Sequence, residues 1–212
     1  MGALSRPYHF KKRTLSPSLM KLVFATHNNN KLEEVKQLLP AHIELLSLND
    51  IGCTEEIEET GSTLEENAYI KARYVKSHYG LICFADDSGL EIDALDGAPG
   101  VISARYAGPQ KDNEANIRKV WDNLKNRQDK TAQFRTVIAV CINGQEWDCE
   151  GIVRGKIISE KRGKGGFGYD PIFIPDSYTQ TFAELGNEVK NKISHRARAT
   201  QLFLNRLKDD IL

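Results

Sequence analysis

The sequence predicts an α/β protein in which helices flank a mixed β-sheet. Apolar runs of strand length, such as KLVFAT at residues 21–26, alternate with segments of helical periodicity, a pattern typical of α/β folds. An Asn-Gly pair at residues 143–144 joins two long strand-like runs and predicts an antiparallel hairpin. The 212 residues suffice for one large domain or two small lobes with a substantial core.

Strands and helices are expected in alternation along the chain. In order, the pattern predicts a strand at 21–26, a helix at 27–39, a strand at 43–48, a helix at 62–79, strands on either side of residues 86–87, a helix at 112–126, a hairpin at 131–160 and a last helix at 193–211. A capping box starts the second helix, and its members are either Ser62 and Glu65 or Thr63 and Glu66. Gly80 is expected to end that helix.

Charge and composition point away from nucleic acids and membranes. Twenty-nine Lys and Arg residues balance twenty-nine Asp and Glu residues, and such a balance nominates neither a nucleic acid nor a membrane as partner. Residues 1–19 carry four basic side chains and no acidic one, but they lack the apolar run of a signal peptide. We expect a disordered extension or a tag there, with a basic arm for an acidic partner as the alternative. Residues 20–212 are expected to form a single domain.

The four cysteines give no sign of a metal site. None stands in a C-x-x-C pair or near a histidine, which argues against zinc. Cys83 and Cys141 lie inside apolar strand-like runs, where a thiol behaves as a small apolar group. Because no export signal is present, we expect reduced cysteines and a cytoplasmic protein.

The segment GKGGFG at residues 163–168 matches the dinucleotide-binding pattern G-x-G-x-x-G, which has meaning only between a strand and a helix. Tyr169, Asp170 and Pro171 follow it, and then the strand-like run IFI, so no helix starts here. We therefore expect no Rossmann site. The glycines instead let the backbone and Phe167 approach a flat ligand together with Tyr169. The alternative is a tight strand-to-strand loop with aromatic core residues.

A phosphate site is predicted where the first strand meets the first helix, in THNNNK at residues 26–31. Free N–H groups at a helix N-terminus bind anions readily, and this one lies at the carboxyl end of a strand. Thr26 and Asn28 can donate hydrogen bonds to phosphate, and Lys31 adds a positive charge. The alternative is an Asn-rich helix cap beside a solvated lysine.

Asp86 and Asp87 follow an apolar run and are expected at the end of a buried strand. Two adjacent carboxylates there repel each other unless a cation or a hydrogen-bond donor compensates. Magnesium fits, because Mg²⁺ favours one or two carboxylates together with phosphate oxygens and water. Glu58 or Glu59 could supply a further ligand. The alternative for Asp-Asp-Ser-Gly is a turn whose side chains bond to its own backbone.

Ser194, His195 and Arg196 open the last helix away from its apolar stripe, with Lys190 one turn earlier. A helix N-terminus disfavours cations, so these groups are either solvated or held for a ligand. No order of Ser, His and Asp and no G-x-S-x-G segment indicates a hydrolytic triad.

Five segments together resemble the inosine triphosphate pyrophosphatase family, the Ham1/RdgB-like nucleotide hydrolases. They are, in order, THNNNK, EETGSTLEENAYIKA, ADDSGLEIDALDGAPGVISARYAG, GGFGYDPIF and KNKISHRA. The resemblance covers residues 20–212, and it is specific because the five segments are co-linear. His27 stands where the family usually has glycine, which is a departure within the phosphate segment.

The resemblance implies Mg-dependent hydrolysis of inosine, xanthosine and deoxyinosine triphosphates to the monophosphate and pyrophosphate. It implies a homodimer of elongated, two-lobed chains, each with a central cleft. Asp87 would be the base and a metal ligand, and Glu58 or its neighbour Glu59 the second metal ligand. The residues implied for substrate binding are Thr26, His27, Asn28, Asn29, Asn30, Lys31, Ser88, Phe167, Gly168, Tyr169, Asp170, Lys190, His195 and Arg196. Phe167 would stack on the base, while His195 and Arg196 would donate to its 6-oxo group.

Two other classes of protein are compatible with parts of the sequence. A nucleotide-sensing module without catalysis could use the same cleft, but carboxylates beside phosphates hinder binding unless a metal is recruited. A nucleic-acid binder would depend on residues 6–13 alone, and a steep salt dependence of DNA binding would identify it.

Overall fold

The computed structural model describes residues 19–211, with the side chains of residues 19–208. The expected N-terminal extension, residues 1–19, therefore lies almost entirely outside the described part. The strands are β1 (Met20–Phe24), β2 (Ile43–Leu46), β3 (Cys83–Ile92), β4 (Thr131–Ile142), β5 (Gln145–Ile157) and β6 (Phe173–Pro175). They form one sheet in the order β2-β1-β3-β4-β5-β6. β1 runs parallel to β2 and β3, and the pairs from β3 to β6 are antiparallel, so the predicted mixed sheet is confirmed.

The helices that flank the sheet are α1 (Asn29–Lys36), α2 (Leu64–Tyr79), α3 (Asn113–Leu124), α4 (Phe182–Ile193) and α5 (His195–Ile211). The Thr63 side chain caps α2 by accepting a hydrogen bond from the Glu66 N–H. The Glu66 carboxylate accepts from the N–H of Ser62. Gly80 ends the helix in the left-handed conformation, with φ 67°. No helix among residues 19–211 combines the length and the apolar character needed to cross a membrane.

Helix α4 corrects the sequence analysis, which placed no helix between the hairpin at 131–160 and residue 193. Gly186 interrupts α4 with a non-helical backbone (φ 73°, ψ 171°), and this break obscures the helical periodicity. Ser194 then takes an extended conformation (φ −67°, ψ 159°) between α4 and α5. Ile193 and Lys190 therefore belong to α4, and the last helix begins at His195.

Strand β3 corrects a second expectation, because it continues through both aspartates. Asp86 pairs with Ile138 of β4, and Asp87 pairs with Val137. The ladder to β4 thus fixes this backbone as strand, so the segment is neither a strand end nor a turn. The parallel neighbour β1 pairs no further than Phe84. Both carboxylates consequently lie just beyond the carboxyl end of β1.

Three apolar clusters lie along the sheet. The first packs α2, through Ala68, on one face of β1, β3 and β4. The second packs α1 and α5, through Val35 and Phe203, on the other face. The third joins α3 and α4, through Ile117 and Phe182, to the far ends of β3, β4 and β5. We call the part around the first two clusters the first lobe and the part around the third the second lobe.

Residues 163–168 form a loop between β5 and β6 in the second lobe. A single 3-10 turn at Asp170–Ile172 follows the loop, and β6 comes next. No helix starts from the glycines, so the prediction that this segment is not a Rossmann fingerprint is confirmed.

Candidate active site

A cleft of about 400 Å³ lies between the two lobes and gathers most of the predicted site residues. The predicted residues that line it are Thr26, His27, Asn28, Asn30, Lys31, Asp87, Ser88, Phe167, Gly168, Tyr169, Asp170, Lys190, His195 and Arg196. Asn29 does not line it. Glu58 is exposed outside the cleft, whereas its neighbour Glu59 lines it. Of the two acids that the sequence left open, the structure brings only Glu59 to the site.

The phosphate loop, residues 26–31, leads from β1 into α1. The side-chain oxygen of Asn28 caps the helix by accepting hydrogen bonds from the N–H groups of Asn30 (3.0 Å) and Lys31 (3.2 Å). Thr26 Oγ1 accepts from the N–H of Asn28 at 3.1 Å. Two of the amide groups that we expected to be free for phosphate are therefore bonded, because an Asn at the cap position competes for them. The Thr26 hydroxyl keeps its proton available to donate.

Asp86 points to the face of β3 that α1 and α5 cover. Lys31 Nζ lies 2.8 Å from one carboxylate oxygen and Arg196 Nε lies 3.0 Å from the other. The residue is 1% exposed. Burial alone would raise the pKa of Asp86, but attraction to Lys31 and Arg196 more than offsets burial and lowers that pKa. Asp86 is thus an anion behind the cleft wall that holds two cleft-lining cations in place.

Glu34 of α1 extends this charged group towards the second lobe. Its carboxylate pairs with Arg196 and lies 2.7 Å from Lys190 Nζ. Lys190 in turn lies 2.6 Å from Asp170. Three cations thereby balance three anions in what we call the Asp86 cluster: Lys31, Glu34, Asp86, Asp170, Lys190 and Arg196. Arg196 is buried within it, so the alternative that Arg196 is merely solvated is wrong.

Asp87 points to the opposite face of β3, towards α2. Asn67 Nδ2 donates to one carboxylate oxygen at 3.3 Å, and Lys71 Nζ lies 3.6 Å from the other. Burial raises the pKa of Asp87, and attraction to Lys71 and Lys31 offsets only part of that rise. Repulsion from Glu59 adds to it. This carboxylate is therefore a better proton acceptor than an ordinary aspartate.

Glu59 shares its cation with Asp87. Lys71 Nζ lies 2.6 Å from one oxygen of Glu59, and Arg105 donates to the other at 2.9 Å. Burial opposes ionisation of Glu59, but Lys71 and Arg105 lower its pKa to about 2. We call Glu59, Asn67, Lys71, Asp87 and Arg105 the Asp87 cluster. No group of three or more His, Cys, Asp or Glu side chains converges as a metal site within residues 19–208. In this cluster two carboxylates, on Asp87 and Glu59, line the cleft.

The other end of the cleft carries aromatic rings and an uncharged histidine. The His195 ring stacks on Phe134, with centroids 4.7 Å apart, and its buried Nδ1 has no hydrogen-bond partner. Burial, followed by repulsion from Arg196 and Lys190, holds the pKa of His195 well below 6.5, so the ring is uncharged at neutral pH. The Phe167 ring lies with its centroid 4.6 Å from Lys190 Nζ.

Helix α5 reaches this position because β5 has a glycine beneath it. A Cβ atom at Gly151 would lie 2.1 Å from the His195 carbonyl oxygen and 2.5 Å from the Ala199 nitrogen. Only glycine permits so close an approach of helix and strand. Gly151 thereby sets how deeply the first turn of α5, with His195 and Arg196, enters the cleft.

The sequence analysis missed Asn67 and Lys71, although a signal was present. They stand three and seven residues after Leu64, on the face of α2 that the apolar stripe occupies. A polar or charged side chain on an apolar face requires a buried partner, and here that partner is Asp87. Glu34 gave no comparable signal, because it stands among other polar residues of the sequence, and Arg105 gave none, because it lies in a segment without periodicity.

Comparison with known proteins identifies the family. The model of the Ham1 family matches residues 22–206. The chain belongs to the Ham1 family. A dITP/XTP pyrophosphatase of Christiangramia forsetii is 59% identical over 180 residues, which cover 85% of this chain and 95% of that protein. One from Bacillus subtilis is 52% identical over 185 residues, 85% of this chain and 93% of that protein.

Solved structures of the Ham1 family agree with the fold. The Ham1 protein of Staphylococcus aureus superimposes with a TM-score of 0.82 at 39% identity, covering 90% of this chain and 99% of that one. The corresponding protein of Coxiella burnetii gives a TM-score of 0.82 at 42% identity, with the same coverage. The resemblance inferred from five sequence segments is therefore confirmed, as is the two-lobed α/β architecture.

Proposed function

We propose that this Ham1-family protein hydrolyses deoxyinosine, inosine and xanthosine triphosphates to the monophosphate and pyrophosphate. The observation that carries the proposal is the cleft itself. A carboxylate of raised pKa, Asp87, lies beside cations at one end, and the aromatic ring of Phe167 lies with the uncharged His195 at the other. Relatives of 52–59% identity that bear the name dITP/XTP pyrophosphatase support it.

In this reaction Asp87 orients the attacking water and accepts its proton. A carboxylate whose pKa is raised by burial binds a proton more readily than one exposed to solvent. Asn67 fixes the orientation of the carboxylate through its 3.3 Å hydrogen bond. Lys31 and Lys71 both line the cleft, where their ammonium groups would neutralise charge that develops on the phosphates.

We propose Mg²⁺ as the cofactor. Asp87 and Glu59 both line the cleft and both contact the ammonium group of Lys71, so their carboxylates lie near each other on the wall that would face the phosphates of a substrate. A hard divalent ion accepts one or two such carboxylates and completes its shell with phosphate oxygens and water. When bound, it supplies Lewis-acid stabilisation of the phosphate charge. Glu59, and not Glu58, is the second ligand in this proposal.

The base lies at the aromatic end, where Phe167 stacks on it and His195 forms a hydrogen bond with its 6-oxo edge. Arg196 donates to Asp86, Glu34 and Ser88, and these contacts hold the wall of the pocket in place. A guanidinium has five N–H groups, so donation from Arg196 to the 6-oxo group remains part of the proposal. The resemblance further predicts a homodimer, and light scattering on the purified protein tests this oligomeric state.

The experiment that tests the proposed function measures pyrophosphate release from dITP, XTP, dATP and dGTP, with and without Mg²⁺. We expect release from dITP and XTP that depends on Mg²⁺, and much slower release from the other two. Binding of dITP without any release would instead identify a nucleotide-sensing module.

A further inference from the structure

Lys111 lies at the second-lobe side of the cleft, in the loop that precedes α3, and it belongs to neither charged cluster. Its side chain lines the cleft together with that of Glu56, with which it forms an ion pair. Lys111 has a left-handed backbone, with φ 55°. Residues other than glycine rarely adopt this conformation, and such strain is concentrated at ligand-binding segments.

Lys111 is the most loosely held cation of the cleft. Its side chain is 47% exposed and that of Glu56 is 76% exposed, so their pairing contributes little to stability. The exposures of the other cleft-lining cations are 14% for Lys31, 10% for Lys71, 31% for Arg105, 2% for Lys190 and 2% for Arg196. Those five are fixed by carboxylates in the two clusters. An incoming anion can recruit Lys111 at the smallest cost.

Glu56, the ion-pair partner of Lys111, lies next to a residue that contacts the phosphate loop. Nε2 of His27, in the phosphate loop, lies 3.0 Å from the carbonyl oxygen of Glu55, the residue before Glu56. The acidic segment of residues 55–59 is thus joined to the phosphate loop by His27 and to the second lobe by Lys111 and Arg105. A triphosphate bound at the phosphate loop brings several negative charges to this segment, and these attract an ammonium group more strongly than one exposed carboxylate does.

We propose that Lys111 is a phosphate-binding residue supplied by the second lobe, and that it exchanges Glu56 for the outer phosphates of the substrate. The inference rests on the proposed function, since it takes a triphosphate as the ligand. Lys111 then contacts the part of the substrate that leaves as pyrophosphate, and it has no contact with the monophosphate product.

The test is calorimetric titration with inorganic triphosphate, which needs neither turnover nor a base. We expect Lys111→Ala to weaken binding about fivefold to tenfold, as the loss of one charge-assisted contact predicts. Glu56→Gln should tighten binding, because it frees the lysine. Lys161→Ala is the matched control: Lys161 also forms an exposed ion pair, with Glu114, but does not line the cleft, and we expect no change. Inosine monophosphate should bind all variants equally.

The double variant separates direct binding from simple neutralisation of Glu56. If Lys111 touches phosphate, Lys111→Ala in the Glu56→Gln background still weakens binding severalfold. Equal affinity of Glu56→Gln and the double variant would overturn the proposal, as would wild-type protein that does not bind triphosphate. A wild-type protein that hydrolyses dITP while Lys111→Ala binds triphosphate normally would reject this inference and leave the proposed function standing.

Discussion

Asp86 and Asp87 are neighbours in the chain, yet they lie on opposite faces of β3 and meet different surroundings. Asp86 faces α1 and α5, where Lys31 and Arg196 contact both of its oxygens and its pKa is lowered. Asp87 faces α2, where the nearest ammonium, on Lys71, is 3.6 Å away and the pKa is raised. The alternation of side chains along a strand is sufficient to divide two identical groups between two environments.

The contrast indicates that one aspartate stabilises the site and that the other takes part in the reaction. A buried carboxylate whose charge is fully balanced by paired cations accepts a proton less readily than an ordinary carboxylate, because those cations stabilise its ionised form. A buried carboxylate that is only partly compensated retains the capacity to accept one. We therefore assign the Asp86 cluster to the support of the base pocket and the Asp87 cluster to the reaction.

The strongest way to break this assignment is Asp87→Asn. The amide keeps the shape of the carboxylate and removes its ability to accept a proton, so we expect kcat/KM for dITP to fall about a thousandfold or more. Thermal unfolding should stay close to that of the wild type. An Asp87→Asn protein with near-normal turnover would remove Asp87 from the mechanism.

For the free energy of unfolding we expect the larger loss on substitution of Asp86 and the smaller loss on substitution of Asp87. Asp86→Asn leaves Lys31 and Arg196 buried without their shared anion, and we expect a loss of about 3–5 kcal/mol in the free energy of unfolding. Asp87→Asn should cost far less, because the raised pKa shows that burying this carboxylate is itself unfavourable. Urea titrations of both variants measure the difference. If both lose equal stability, the two faces of β3 do not differ as we describe.

The preference for one base over another tests the role of His195 at the aromatic end of the cleft. His195→Phe retains an aromatic ring to stack on Phe134 but removes both ring nitrogens. We expect the preference for dITP over dATP, measured as a ratio of kcat/KM, to fall about tenfold to a hundredfold. The binding of inorganic triphosphate serves as the control and should not change. An unaltered ratio would mean that another group recognises the base.

The smallest expected effect is a dependence of stability on pH. In the folded protein the pKa of His195 lies well below 6.5, while in the unfolded chain it is about 6.5. As the pH falls below about 6.5, only the unfolded chain takes up this proton, so the folded state loses stability. The loss approaches about 1.4 kcal/mol per pH unit until the folded pKa is reached. Urea unfolding at pH 7.5 and 5.5 should show a steeper loss for the wild type than for His195→Phe, and parallel losses would contradict the neutral buried ring.

The sequence predicted the structure best where a feature depends on residues that are close together in the chain. The Asn-Gly hairpin, the cap at Thr63 and the co-linear segments all follow from local patterns, and each is found in the structure. Glu34 and Arg105 could not be predicted, because their roles depend on partners that are 162 and 46 residues away in the chain. Gly186 hid a helix for a related reason: tertiary packing tolerates a break that local propensity does not.

Gly151 is a position at which substitution should alter the base that the cleft accepts. Its missing side chain sets the depth to which α5 carries His195 and Arg196 into the pocket. A library restricted to residues that line the cleft would omit it, since Gly151 belongs to β5 and does not line the cleft. Mutagenesis of the whole chain should therefore recover substitutions on β5. One methyl group added at Gly151 would displace the first turn of α5, and with it the residues that we expect to contact the base.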